Sequence, residues 1–187
     1  MNIVIFGPPG AGKGTQSNFI VEKFKLFQLS TGELLRKEIK NNSKLGVEIS
    51  SIINSGNLVS NNIVSDLIEK YISDKMYKNK LIFDGYPRTV NQAKNLESLL
   101  SKSNQKIDYI FFLNVNKDSI IKRIEKRKIL EKRSDDDADT ILKRYDTYME
   151  ITKPVLDFYS SKSNFYEIDG SAEIEEISGK IDQILKV

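Results

Sequence analysis

The residues best placed to do chemistry lie close to the start of the chain. Gly7-Pro8-Pro9-Gly10-Ala11-Gly12-Lys13-Gly14-Thr15 sets a lysine and a hydroxyl at the end of a glycine-rich run. Consecutive backbone N–H groups in such a loop point inward and make an anion nest. Glycines let the backbone approach a phosphate without Cβ clashes. Lys13 can reach outer phosphates, and a hydroxyl after it can face magnesium. Here that hydroxyl comes one residue late, at Thr15, because Gly14 follows the lysine. A second stretch of interest is Asp84-Gly85-Tyr86-Pro87-Arg88, which follows the apolar run Leu81-Ile82-Phe83. The third signal is arginine itself. The chain has 29 basic residues, yet only six are arginine, at 36, 88, 123, 127, 133 and 144. Arginine's planar fork grips phosphate oxygens bidentately, whereas lysine is a point charge. A chain so rich in lysine keeps arginine where lysine will not serve.

These residues need a frame. Residues 2–6, nearly all apolar ahead of the glycine run, read as a buried parallel strand, and residues 13–24 behind it as a helix. Strand, glycine loop, lysine and helix together are the layout of a P-loop, and the helix adds its positive N-terminal end. Leu26–Leu29, Lys80–Phe83, Asp108–Leu113 and Phe165–Ile168 read as four further strands. Helical patterns separate them, one aligning Ile63, Leu67, Ile68 and Tyr71 and others at 89–102, 117–127 and 136–160, with a last helix carrying Ile174, Ile177, Ile181 and Ile184. Pro154 should kink or split the helix at 136–160. The alternation predicts an α/β fold, a doubly wound five-stranded parallel sheet with right-handed crossovers and helices on both faces. Asp84 then sits at the carboxyl edge of the sheet, where ligands bind in such folds. Residues 30–59 read as two short helices without strands, a helical insertion able to act as a flap. Residues 128–135 are polar, with no core pattern, and a second insertion is expected at about 124–135. The expectation is a single domain over residues 1–187.

Composition narrows the chemistry. There is no cysteine and no histidine, which excludes disulfides, histidine catalysis and a structural zinc held by those ligands. A net charge of +3 does not by itself imply nucleic acid, and the basic residues lack interleaved aromatic platforms. No apolar run approaches membrane-spanning length, and Met1 leads almost at once into the first strand. A monomer in the cytoplasm is the expectation, with no nucleic acid or membrane partner.

The chain resembles the adenylate kinases, the short-lid form of a nucleoside monophosphate kinase, over nearly its whole length. The resemblance rests on the P-loop with Gly14 before Thr15, on Phe83-Asp84-Gly85-Tyr86-Pro87-Arg88-Thr89, on Ser30-Thr31-Gly32 with Arg36, and on Asp135-Asp136 followed by Lys143-Arg144. It implies transfer of a phosphoryl group from ATP to AMP, giving two ADP, with magnesium. It implies that Gly10, Ala11, Gly12, Lys13, Gly14 and Thr15 hold ATP phosphates, with Arg123 and Arg127 from the lid. The Gly170-Ser171-Ala172 loop would pass the ATP adenine. AMP would lie against Thr31, Arg36, Asn57, Leu58, Val59, Gly85, Tyr86, Pro87, Arg88 and Gln92. Arg133 and Arg144 would bridge AMP and the transferred phosphate. Lys13, Arg88, Arg123, Arg133, Arg144 and Asp84 would form the catalytic set, with Thr15 and Asp84 toward magnesium, Asp84 through water. Asn57 stands where bacterial members usually have lysine. Only five residues separate Arg127 from Arg133, too short for a zinc-bearing lid.

Two other readings are weaker. UMP/CMP kinases share fold, short lid and arginines, but usually carry alanine where Thr31 stands. A GTP-binding switch would explain Asn116-Lys117-Asp118, but the aspartate comes one residue early, with Ser119 in its place.

Overall fold

The computed structural model describes residues 1–131 and 138–186, and the side chains of all these except 126–131, 138 and 139. Five strands form one parallel sheet in the order β2-β3-β1-β4-β5, with β1 Ile3–Phe6, β2 Phe27–Ser30, β3 Leu81–Asp84, β4 Tyr109–Asn114 and β5 Phe165–Asp169. β1 is central because all four of its side chains are apolar and buried. Alternate residues feed opposite faces. Val4, Phe6, Leu81 and Phe83 enter one core, and Ile3, Ile5, Ile82 and Phe111 the other. β2 and β3 lie on one side of β1 and the chain then crosses to β4 and β5 on the other, so the carboxyl end of β1 opens the crevice of a topological switch point. The P-loop, Ser30-Thr31-Gly32, the Asp84–Thr89 turn and Gly170-Ser171-Ala172 each lie at the end of a strand at that edge.

The opposite edge is tied by amides. Asn2 is fully buried, its Oδ1 accepting from Leu81 N–H at 3.2 Å and its Nδ2 donating to Lys106 O at 3.0 Å. Its backbone N–H donates to Asp108 Oδ2 at 2.7 Å. These bonds hold the starts of β1, β3 and β4 together, so the loops at the other end project from fixed positions.

Around the sheet run α1 Lys13–Phe24, α2 Thr31–Lys40, α3 Lys44–Asn54, α4 Asn61–Ser73, α5 Val90–Lys102, α6 Lys117–Glu131, α7 Ala138–Thr147, α8 Lys153–Ser160 and α9 Ile174–Leu185. Ser30 and Thr89 cap α2 and α5, accepting from Glu33 N–H and Gln92 N–H. The expected two-helix insertion is α2 and α3. Several details differ from the sequence reading. β2, β3 and β4 each lie one residue later, with Leu26 in the core, and β5 runs on to Asp169. α6 continues to Glu131 rather than ending at 127. The helix expected over 136–160 is broken by a π-turn at Tyr148–Thr152, where Lys153 N–H reaches back to the Tyr148 carbonyl. Pro154 follows in the first turn of α8 and has no N–H to continue the α-helical ladder. Among the described residues no helix is long and apolar enough to cross a membrane.

Candidate active site

One cleft at the carboxyl edge gathers the P-loop, the α2–α3 insertion, the turn after β3 and the π-turn region. Four cations line it: Lys13, Arg36, Arg88 and Arg144. No carboxylate lines it among the described residues. Such a surface fits a polyanion.

The P-loop forms as its glycines require. Gly10 has φ +82°, and a Cβ there would lie 2.8 Å from Cγ1 of Ile124, so only glycine lets α6 rest on the loop. Ala11 N–H donates to Pro8 O at 3.1 Å, and Gly12 precedes α1. Lys13 Nζ donates to the carbonyls of Gly7 and Pro8 at 2.8 and 2.9 Å, which sets the ammonium across the loop. Gly14 and Thr15 are exposed in the first turn of α1.

The turn after β3 is built around the Gly85 carbonyl. Thr31 Oγ1 donates to it at 3.0 Å and Arg88 Nε at 2.8 Å. Gly85 has φ +72°, and a Cβ would crowd Arg88 Nη2 at 3.0 Å, so glycine allows the guanidinium to fold over the turn. The Tyr86–Pro87 peptide is cis. Gln92, 3% exposed, fixes the turn from α5: its Oε1 accepts from Arg88 N–H at 2.7 Å and its Nε2 donates to Asn61 Oδ1 at 2.8 Å. Tyr86 is the exception among the residues expected at the acceptor. Its side chain is buried beneath the turn, with its hydroxyl donating to Gln92 O at 3.3 Å, so only its backbone belongs to the turn's surface. Burial raises the Tyr86 hydroxyl above the usual tyrosine range, and burial followed by Tyr145 does the same for Tyr148.

Thr31, Arg36, Asn57, Leu58, Val59, Gly85, Pro87, Arg88, Gln92 and Arg144 therefore share one cleft with Lys13. Arg123 stands elsewhere, its Nη1 donating to Gly170 O at 2.7 Å beside Ser171 and Ala172. Arg133, Asp135, Asp136 and the Arg127 side chain lie outside the described residues. Asp84, 8% exposed at the end of β3, accepts from Gln28 Nε2 at 2.9 Å. Gln28 escaped the sequence reading because its role depends on β2 lying beside β3. A carboxylate and a hydroxyl, Asp84 and Thr15, are hard oxygen donors too few to cage a metal alone. Donors of that kind suit magnesium, which keeps several waters and binds through phosphates, and both residues stand outside the lining of the cleft. Among the described residues no group of three histidine, cysteine, aspartate or glutamate side chains is placed to hold a metal.

Comparison with known proteins agrees with this geometry. The family model described as adenylate kinase matches residues 5–164. An adenylate kinase of Pelagibacter ubique is 49% identical over 213 aligned positions, covering all of both chains. Adenylate kinases of Porphyromonas gingivalis and of a Caulobacter species are each 40% identical, covering 99% and 100% of this chain and 95% and 99% of theirs. A P-loop, an arginine-lined cleft and matches along essentially the whole chain converge, and the chain belongs to the adenylate kinase family.

Proposed function

We propose that this chain transfers the terminal phosphoryl group of ATP to AMP, giving two ADP, with the residues of the cleft in the roles below. The observation that carries the reading is the meeting of Lys13, Arg36, Arg88 and Arg144 with Thr31 and Gln92 in one cleft. Phosphoryl transfer asks little covalent help of the protein; it needs in-line placement and positive charge around the migrating group. Lys13 serves the donor phosphates, Arg36 and Arg88 the acceptor phosphate, and Arg144 the group between them. Arg123 and the 170–172 loop serve the donor side, the loop holding the adenine. Thr15 and Asp84 would hold magnesium, which when bound would neutralise charge on the phosphate oxygens. Closure of the α2–α3 flap over 30–59 and of the lid at about 124–135 keeps water from competing with AMP.

The hydrogen-bond directions support AMP as the acceptor. The single Thr31 hydroxyl proton goes to Gly85 O, so toward a base the oxygen can only accept. Gln92 Oε1 accepts from Arg88 N–H and Nε2 gives one hydrogen to Asn61, which leaves Nε2 a second hydrogen to donate. Adenine offers an amino donor beside a ring-nitrogen acceptor, which matches. Uracil offers a carbonyl and an N–H, which reverses both. Cytosine has adenine's polarity but lacks the second ring. A coupled assay with ATP and each monophosphate tests this: kcat/KM is expected to be highest with AMP. Equal or higher kcat/KM with UMP would move the activity to the UMP/CMP kinases.

A further inference from the structure

We infer that Gln16 is a positioning residue for the donor nucleotide, its amide setting the span between the phosphate loop and the 170–172 loop. The inference rests on the assignment of the 170–172 loop to the donor adenine. Gln16 lies one turn into α1, three residues after Lys13, and is 2% exposed. Its Nε2 donates to Ile174 O at 3.3 Å, and its Oε1 accepts from Ser178 Oγ at 2.9 Å. The Ser178 hydroxyl also lies 2.8 Å from Ile174 O, so its one proton is shared. The three groups close a ring between the head of α1 and the head of α9.

Packing alone does not call for an amide there. Ile20, Ile177 and Ile181 already join α1 and α9 in one apolar core. A buried amide is costly unless both ends are bonded, and in return it gives a directional register that apolar contact lacks. That register matters for what flanks it. α9 begins directly after the 170–172 loop, whose sheet side is pinned by Gly170 N–H donating to Asn114 O at 2.8 Å and by Arg123 at Gly170 O. The helical turn from Lys13 to Gln16 is rigid, so the ring fixes how far the loop stands from the lysine. A nucleoside triphosphate spanning both points binds well only if that distance is right.

The test compares two donors by calorimetry on the full chain with magnesium: ATP, which spans both loops, and inorganic tripolyphosphate, which needs only the phosphate loop. Wild-type protein is expected to bind ATP the tighter. Equal affinity would remove the adenine from the 170–172 loop, and the inference with it. Given that difference, Gln16→Leu should weaken ATP about tenfold and leave tripolyphosphate within about twofold. Its KM for AMP should stay at the wild-type value. Loss of both donors together would make Gln16 a prop of the phosphate loop alone, and loss of neither would make it ordinary packing; either overturns the inference. Ser178→Ala keeps the Nε2 bond and serves if the leucine variant fails to fold. It should weaken ATP by about threefold with tripolyphosphate unchanged, and wild-type affinity for ATP there would equally overturn the inference.

Discussion

The two halves of the cleft are held in different ways. The acceptor half is organised around one short turn: Gly85 O takes Arg88, three residues on, and Gln92 holds Arg88 N–H, with Thr31 and Asn61 joining that turn from 54 and 31 residues away. The donor half is organised across the chain. Lys13 bonds its own loop, but the loop's distance to the 170–172 segment depends on Gln16 meeting Ile174 and Ser178, 158 and 162 residues away. Base recognition needs groups fixed to within a hydrogen bond of one another, which a tight turn supplies cheaply. A triphosphate is long, and its two ends are placed by separate elements that the core must bring into register.

The comparison is broken most forcefully at Arg88, which closes the acceptor turn and, in the proposed reaction, holds the acceptor phosphate. Arg88→Lys keeps the charge and loses the fork, and kcat should fall about 10²-fold or more with the fold intact. Lys102→Arg, on the exposed end of α5, should be nearly silent in the same steady-state assay. Retention of most activity by Arg88→Lys would remove the reason for six arginines among 23 lysines.

Thr31→Ala sharpens the acceptor half. It deletes the oxygen whose proton is committed to Gly85, so kcat/KM for AMP should drop about tenfold while that for UMP holds, narrowing the ratio between them. Parallel losses for both acceptors would show Thr31 to be structural.

Gly46→Ala should have a smaller effect, confined to the flap. A Cβ there would stand 2.1 Å from the Glu38 carbonyl oxygen, a backbone atom, so α3 must shift off α2. The expected cost is about 1–3 kcal/mol of stability by denaturant titration. The KM for AMP should rise several-fold while that for ATP does not. A matching rise for ATP would mean that the flap and the donor half are one unit.

What the sequence made legible follows the same division. The P-loop and the Asp84–Thr89 turn could be read because the residues that carry them are a few positions apart. The sheet could be read from β1 and β4, whose apolar runs admit little but burial on both faces. Asn2 looked like an edge of a strand, yet it is fully buried, because its partners arrive only when β3 and β4 flank β1. Gln28 beside Asp84 and Gln16 beside Ser178 were hidden for the same reason: an amide carries no periodicity to show what it will meet. Pro154 announced a break, but not the π-turn ahead of it, whose shape depends on how Tyr148, Thr152 and Val155 are buried.

The central claim is that one cleft passes a phosphoryl group from ATP to AMP without losing it to water. Phosphorus NMR of wild-type protein with equimolar ATP and AMP and magnesium tests it directly. The account predicts two ADP for each ATP consumed, equal loss of ATP and AMP, and no growth of an inorganic phosphate signal. Accumulation of inorganic phosphate with AMP unchanged would contradict it.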